Sequence, residues 1–222
     1  MDRERWGEVD DYITGLFVGE DASLQAALVA SRAAGLPPIQ VTPPMGKFLQ
    51  LLARVRGATR ILELGTLGGY STIWLARALP PGGRMITLEL LPERAELARV
   101  NLDRGGVGGL VEVRVGAAIT GLGQLVDEGA GPFDLVFIDA DKEHNAEYFQ
   151  RALELTRPGS VIVVDNVVRD GAVVDTESRD TAVIGTRRLN EVMAAKPRVS
   201  VTELQTVSGK RWDGFALALV VG

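Results

Sequence analysis

The strongest constraint on the fold comes from two short runs that are apolar at every position. Residues 135–138 read LVFI and residues 161–164 read VIVV. A strand with one face in water alternates apolar and polar residues, whereas a strand covered by helices on both faces is apolar throughout. The two runs therefore indicate buried strands of an α/β sheet.

Strand and helix patterns alternate on both sides of these runs. Apolar periodicity predicts strands over residues 60–64, 84–89, 110–115, 133–138 and 160–164, and helices over residues 71–79, 92–104, 142–156 and 181–195. Parallel neighbours need crossover connections, so we expect a doubly wound, Rossmann-like sheet that is mostly parallel. Two last runs, residues 199–205 and 215–221, flank a turn and predict a C-terminal antiparallel hairpin.

The segment before the first strand has helical character. Apolar spacing predicts helices over residues 9–17 and 24–34, and a third helix with Thr42 as N-cap and Pro43 at its first position. We expect one domain over residues 1–222, with residues 1–42 forming N-terminal capping helices.

Charge and residue content exclude several classes of function. A formal net charge of −5 argues against a nucleic acid partner. With no cysteine and one histidine, disulfides and thiolate metal sites are excluded, and any metal must be a hard cation held by oxygen. The sequence has no apolar run of about 18 residues, and its N-terminus lacks the pattern of a signal peptide. We therefore expect a cytoplasmic protein without a membrane partner.

A glycine-rich turn follows the first predicted strand. Residues 61–71 read ILELGTLGGYS, which indicates a strand, a turn and a helix start, where α/β sheets bind nucleotides. Leu67 occupies the second glycine position of the dinucleotide motif, so the motif is incomplete. The Glu63 carboxylate would repel a diphosphate but would suit a cationic ligand, which favours S-adenosylmethionine over NAD. The alternative is that Glu63 only satisfies polar groups of the turn.

Glu89 ends the second predicted strand, twenty residues after Gly69. An acidic side chain at this place can accept hydrogen bonds from both ribose hydroxyls of an adenosine. A solvated strand end is the alternative interpretation.

Oxygen donors follow two neighbouring apolar strands. Asp139 ends one strand, and Asp165 and Asn166 end the next. Carboxyl ends of parallel strands share one edge of the sheet, where two carboxylates and an amide suit Mg²⁺, Mn²⁺ or Ca²⁺. We favour Mg²⁺. The alternative is that Asp139 or Asp141 caps the following helix.

Lys142 stands at the predicted start of that helix. A helix N-terminus and a nearby cation both disfavour a positive charge, so Lys142 would lose its proton readily and act as a general base. The alternative is a surface lysine. We interpret His144, the single histidine, as structural.

Together these residues resemble the cation-dependent O-methyltransferases, which include catechol and caffeoyl-CoA O-methyltransferases. The resemblance covers roughly residues 39–168 and rests on ILELGTLGGYS, ITLELLPERA, FIDADK and the DN of VIVVDNV. It implies the class I S-adenosylmethionine methyltransferase fold and a homodimer. It also implies a metal site at Asp139, Asp165 and Asn166, with Lys142 and Asp139 as catalytic residues.

The resemblance implies a set of cofactor-binding residues as well. Glu63, Gly65 and Ser71 would hold the methionine part, Glu89 the ribose, and Ala117 or Ala118 the adenine, while Val41 would close over the site; Gly69, Tyr70 and Asp139 complete the set.

The implied reaction is cation-dependent methyl transfer from S-adenosylmethionine to a small aromatic substrate with vicinal, catechol-like hydroxyls. The sequence departs from the family on the substrate side, where Pro44 to Lys47, Asn145 and the pair Val168-Arg169 replace the usual residues. Two alternatives remain, a metal-independent small-molecule methyltransferase and a non-catalytic adenosine-binding or dinucleotide-binding module.

Overall fold

A seven-stranded mixed sheet forms the centre of the protein, whose computed structural model describes residues 2–222. The strands are β1 (Arg60–Leu64), β2 (Arg84–Glu89), β3 (Val111–Val115), β4 (Phe133–Ile138), β5 (Thr156–Asp165), β6 (Val199–Val207) and β7 (Trp212–Val220). Their order is β3-β2-β1-β4-β5-β7-β6. The first five are parallel, and β7 runs antiparallel to both β5 and β6. The predicted mostly parallel sheet with an antiparallel hairpin is confirmed.

Eight α-helices accompany the sheet among residues 2–222. They are α1 (Arg3–Ile13), α2 (Ala22–Ala33), α3 (Pro43–Arg56), α4 (Tyr70–Ala76), α5 (Pro92–Arg104), α6 (Ala118–Asp127), α7 (Asn145–Glu154) and α8 (Thr181–Ala194). Helix α3 begins as predicted, because Thr42 Oγ1 accepts a hydrogen bond from the Met45 amide. In the described chain no helix is both long and apolar enough to cross a bilayer.

Strand β4 shows why the apolar runs were continuous. Leu135 and Phe137 pack into a core with α2, α3, α4 and α5, whereas Val136 and Ile138 pack into a second core with α6, α7 and α8. All four side chains are fully buried. Helical layers therefore cover both faces of the sheet, and its carboxyl edge is left as the place for a site.

Helix α6 is an element that the periodicity analysis did not predict. Gly121 and Gly123 lie inside it, and glycine lowers helix propensity by about 1 kcal/mol per residue. A Cβ at position 121 would lie 3.1 Å from Leu88 Cδ1, so this glycine allows α6 to approach β2 closely. Tertiary packing offsets the poor local propensity.

Two predicted helices differ from the observed ones at their ends. The helix expected over residues 142–156 begins with a 3₁₀ turn at Lys142–His144, continues as α7, and ends before β5 starts at Thr156. The helix expected over residues 9–17 is α1 followed by a π-helical turn, Thr14–Val18.

A buried carboxylate joins the strands at the opposite, amino edge of the sheet. Asp134 accepts hydrogen bonds from the Thr59 amide (2.8 Å), the Thr59 hydroxyl (2.9 Å) and the Arg60 amide (3.2 Å), and it pairs with Arg56 and Arg157. Burial by itself raises the pKa of Asp134, but these donors prevail and lower it to about 2. The cluster connects β1, β4, β5 and the end of α3.

Candidate active site

A cavity of about 1350 Å³ opens at the carboxyl edge of the sheet. Its walls come from the turn after β1, the end of β2, the start of α6, the loops after β4 and β5, and the β6–β7 turn. Most of the residues singled out from the sequence line it, namely Val41, Gly65, Tyr70, Ser71, Glu89, Ala117, Ala118, Asp139, Lys142, Asp165 and Asn166. Glu63 and Gly69 lie outside the lining.

The turn after β1 has a backbone that side chains seldom tolerate. Gly65 has φ +95°, and a Cβ there would collide with the carbonyl oxygen of Asp139. Gly69, also at positive φ, is the N-cap of α4. The turn therefore passes directly beside the end of β4, and this brings the glycine-rich segment and the predicted metal residues into one cavity.

Leu67 also adopts a positive φ, +50°, although it is not glycine. Its amide donates to Glu89 Oε2 at 2.8 Å, while Glu89 Oε1 accepts from the Leu91 amide at 3.1 Å. Only 4% of Glu89 is exposed. Glu89 is therefore a fixed, buried carboxylate that borders the cavity, and the alternative of a solvated strand end is wrong.

Glu63 lies behind the cavity wall. Its carboxylate is fully buried and accepts hydrogen bonds from the hydroxyls of Ser71 (2.7 Å), Thr72 (2.5 Å) and Thr87 (2.7 Å). Burial raises the pKa of Glu63 to about 7, and the three hydroxyl donors oppose this rise. In this arrangement the Glu63 carboxylate does not contact a ligand in the cavity directly. Glu63 would influence a bound ligand through the position of Ser71 and through its own charge.

Asp139 and Lys142 form an ion pair at the end of β4. Lys142 Nζ lies 2.5 Å from Asp139 Oδ1, and only 10% of the lysine side chain is exposed. The alternative of a solvated surface lysine is therefore wrong. The amine instead borders the cavity that Asp139, Asp165 and Asn166 also line.

Asp165 and Asn166 face the same cavity from the end of β5. Burial raises the pKa of Asp165 to about 7, and the negative charge of Asp139 adds to this rise. Within residues 2–222 the amide side chain of Asn166 forms no hydrogen bond, and its backbone has φ +62°. Two carboxylates that repel each other, beside an amide with free donors and acceptors, fit the needs of a hard cation.

The alternative that Asp139 or Asp141 caps the following helix does not explain their contacts. Asp141 is the N-cap of the 3₁₀ turn, but its side chain caps no helix amide. It accepts instead from the Tyr148 hydroxyl (2.6 Å) and contacts His144 Nδ1. The hydrogen bond with Asp141 raises the pKa of His144, whose side chain lies half-exposed at the rim of the cavity. Asp141, Glu143 and His144 place possible ligand atoms within 4.8 Å of one another, but all three are exposed.

Asp213 on β7 is a cavity residue that the sequence analysis missed. Its Oδ1 accepts from the amides of Val168 (3.1 Å), Arg169 (2.9 Å) and Gly214 (3.1 Å). Its Oδ2 lies 3.5 Å from Arg211 Nη1. Asp213 thus holds the loop that carries Asn166. A lone aspartate before glycine in the apolar run WDGFALALV was the available signal.

At one side of the cavity, the β6–β7 turn contacts two segments that are distant in the sequence. Lys210 in the β6–β7 turn donates to the carbonyls of Gln40 (2.6 Å) and Pro38 (3.3 Å), and the Gly209 amide donates to Asp10 (3.1 Å). Burial and the charge of Arg211 lower the pKa of Lys210. The hairpin therefore joins α1 and the α2–α3 connection over the site.

A mostly parallel sheet with an acidic, glycine-lined cavity at its carboxyl edge is typical of α/β enzymes that bind nucleotide-like ligands. The family model described as O-methyltransferase matches residues 20–219, so the chain belongs to the O-methyltransferase family and is a transferase. The family predicted from the sequence motifs is confirmed.

Individual relatives extend this assignment. The chain is 54% identical over 220 residues to a catechol O-methyltransferase of Niastella koreensis, covering 99% of this chain and 100% of that protein. An O-methyltransferase from Bacillus cereus, solved in complex with SAH, has 51% identity and a TM-score of 0.97 over 98% of this chain and 99% of its own. The O-methyltransferase TomG from Streptomyces achromogenes, involved in tomaymycin synthesis and solved with SAM, has 52% identity and a TM-score of 0.96 over 100% of both chains.

Proposed function

We propose that this chain is an S-adenosylmethionine-dependent, divalent-cation-dependent O-methyltransferase that acts on a small aromatic substrate with vicinal hydroxyls. One observation carries the proposal: Asp139, Asp165 and Asn166 line the same cavity as the glycine-rich turn Gly65 to Ser71. A methyl donor and an acceptor held at these two places would lie side by side. The catechol O-methyltransferase relative supports the substrate class.

The donor side of the cavity suits S-adenosylmethionine. Glu89 is buried and fixed by two amides, which leaves its remaining lone pairs for ribose hydroxyls. Ala117 and Ala118 border the cavity at the start of α6, where their small side chains leave room for an adenine. The buried carboxylate of Glu63 favours the positive sulfonium over a diphosphate. Two close structural relatives bind SAM or SAH.

The acceptor side suits a hard divalent cation, with Mg²⁺ as first choice and Mn²⁺ or Ca²⁺ as alternatives. Asp139, Asp165 and Asn166 would hold it. When bound, such a cation acts as a Lewis acid that stabilises a phenolate and orients it. Its charge would also offset the burial and the repulsion from Asp139, which together raise the pKa of Asp165.

Lys142 is the residue that would move the proton. Its Nζ is nearly buried beside Asp139 and borders the cavity, so it lies within reach of a hydroxyl placed there. The hydroxyl proton would pass to Nζ in its neutral amine form, and the oxygen would take the methyl group from sulfur, which leaves as the neutral thioether. Positioning of donor and acceptor would supply most of the rate enhancement.

Turnover and binding with and without the cation test the proposal. We expect methylation of catechol with Mg²⁺, and a loss of at least about 100-fold in turnover after EDTA treatment or in Asp165→Asn. Calorimetric titration with Mn²⁺ should show binding to the wild type and none to Asp165→Asn. Asp127→Asn, which removes an exposed carboxylate on α6, is the matched control. Unchanged turnover in EDTA would show that the reaction is metal-independent.

We also infer a homodimer from the surface of the N-terminal segment. Val9, Tyr12, Leu16 and Phe17 expose 48%, 67%, 57% and 68% of their surface, on successive turns of α1 and the π-helical turn. Exposed apolar patches of this kind mark interaction sites, and a second copy of the chain is the occupant we expect. Light scattering should give a dimer for the wild type and a monomer for the double variant Tyr12→Ser, Phe17→Ser. A wild-type monomer at micromolar concentration would contradict this.

Two whole-chain predictions remain part of the proposal. We expect residues 1–222 to act as one domain, with the helices of residues 1–42 as a cap, and the protein to act in the cytoplasm. A single cooperative unfolding transition and cell fractionation are the respective tests.

A further inference from the structure

The loop after β5 presents a cation to the cavity. Arg169 borders the cavity three residues after Asn166, with a backbone φ of +58°. Its amide is fixed by Asp213 Oδ1 at 2.9 Å. Within residues 2–222 its guanidinium forms no hydrogen bond and no ion pair, and its Nε is buried without a partner. A buried donor without an acceptor is unfavourable, so this side chain is available for a ligand.

The neighbouring carboxylates do not serve Arg169. Asp139 pairs with Lys142, and Asp141 accepts from Tyr148. The second oxygen of Asp213 lies 3.5 Å from Arg211 Nη1 and, like Arg169 Nε, is buried without a hydrogen bond. Under the proposed function, Asp139 and Asp165 would also be neutralised by a cation. No carboxylate of the described chain lies within ion-pairing distance of the guanidinium, although several line the same cavity.

Another cation of the cavity wall is already engaged. Lys210 uses its ammonium to bind the carbonyls of Pro38 and Gln40. Arg169 keeps its full set of donors, in a planar fork that matches a carboxylate with two parallel hydrogen bonds.

We propose that Arg169 binds a carboxylate of the methyl acceptor, so the preferred substrate is an aromatic vicinal diol that carries an acid group. This inference rests on the proposed function, since it specifies the substrate of the same site. The diol end would face Asp139, Asp165 and Asn166, and the acid end would face Arg169. The short separation of Arg169 from Asn166 along one loop fixes the two ends relative to each other.

The position of Arg169 in the fold separates it from the donor. The glycine-rich turn that would hold the methionine part follows β1, whereas Arg169 follows β5, two places along in the order β1-β4-β5. The carboxylate of S-adenosylmethionine is therefore the less suitable partner, and the experiment tests it directly.

Matched acids and esters test the inference. Caffeate and 3,4-dihydroxybenzoate are compared with their methyl esters, at saturating S-adenosylmethionine and Mg²⁺, in the wild type, Arg169→Gln and Arg169→Lys. We expect the wild type to prefer the acid in at least one pair by about tenfold in kcat/KM. Arg169→Gln should abolish that preference, mainly through a higher KM for the acid, and leave the ester unchanged. Arg169→Lys should restore part of it, because the charge remains but the fork is lost.

A distant arginine controls for net charge. Arg151 on α7 pairs with Glu154 at the surface, so Arg151→Gln should preserve the acid preference. Equal kcat/KM for acid and ester in both pairs of wild-type assays would overturn the inference while the proposed function stands. An increase in the KM for S-adenosylmethionine in Arg169→Gln, equal for acid and ester, would also overturn it and assign Arg169 to the donor. Failure of all four compounds to be methylated would count against the proposed function itself.

Discussion

At the scale of single residues, Glu63 shows how burial changes the role of a charge. The sequence placed it beside a cationic ligand, whereas the structure places its carboxylate under α4, among three hydroxyls. The Thr66 hydroxyl oxygen lies 2.6 Å from the Thr87 hydroxyl oxygen and extends this group of hydroxyls. The result is a buried, weakly acidic carboxyl that positions Ser71 at the cavity wall.

Glu63 should make stability depend on pH. The pKa is raised in the folded state, to about 7 from 4.5, so its contribution is full below about pH 4.5 and is lost as pH rises through 7. The free energy of unfolding of Glu63→Gln minus that of the wild type should therefore rise between pH 4 and 8, by roughly 3 kcal/mol. Urea denaturation across this range measures it, with exposed Glu20→Gln as control. Parallel curves for the variant and wild type would refute the prediction.

Gly65 is a residue where shape rather than charge is decisive. Gly65→Ala should destabilise the fold by roughly 1–3 kcal/mol and weaken cation binding, because its Cβ would displace the carbonyl of Asp139. Gly82→Ala is the matched control, since Gly82 has φ +84° but no neighbour within 4 Å of the added atom. Chemical denaturation of both variants separates collision from backbone strain. Equal losses would mean that the close approach to Asp139 is unimportant.

At the scale of elements, the pairing of β7 with β5 brings a residue that is distant in the sequence to the candidate site. Asp165 on β5 pairs with Phe215 on β7, and this pairing brings Asp213 beside the loop after β5. The local pattern predicted both strands but not this contact. Helix α6 likewise depends on a contact with a distant element. Its glycines lower the local helix propensity, and its packing on β2 offsets that loss.

Removal of Asp213 should loosen the loop that holds Asn166. Asp213→Ala leaves three amides without their acceptor, and we expect cation affinity to fall by about 10–100-fold, as for other residues that orient metal ligands. Asp213→Asn retains an acceptor oxygen and should lose less. Calorimetric titration with Mn²⁺ gives both affinities. Identical affinity in the alanine variant and the wild type would show that the loop holds its position without Asp213.

At the scale of the whole molecule, the two edges of the sheet have different tasks. The carboxyl edge gathers groups that repel or lack partners, such as Asp139, Asp165 and Arg169. At the amino edge, amide and hydroxyl groups donate hydrogen bonds to the buried carboxylate of Asp134 and stabilise its negative charge. Stability and binding are thus provided at opposite ends of the same strands.

Asp134 should contribute to the loss of stability of the fold in acid. The folded pKa, about 2, lies below the unfolded value of 3.8, so its contribution is present above about pH 4 and is lost as pH falls through 2. We expect Asp134→Asn to cost roughly 2 kcal/mol at pH 7 and progressively less below pH 4. Thermal unfolding at pH 7, 4 and 2.5 measures this. A cost that is independent of pH would assign the effect to packing rather than to charge.

The amino-acid sequence alone was enough to predict the class of fold and the edge of the sheet at which the candidate site lies. The bounds of β1, β2, β4 and α5 follow from apolar periodicity and from local turn residues, which act over a few positions. Parallel strands end on one edge, so carboxylates at the ends of two such strands had to face the same space. The placement of the glycine-rich turn and of Asp139, Asp165 and Asn166 around one cavity was therefore predictable without coordinates.

Which side chains reach that space depends on the packing of the folded chain. Glu63 lies behind Ser71 because α4 packs over β1, and Asp213 reaches the Arg169 amide across 44 residues of sequence. The absence of a partner for the guanidinium of Arg169 within residues 2–222 depends on where every neighbouring carboxylate points. Such facts arise from packing between distant segments, and local periodicity contains no information about them.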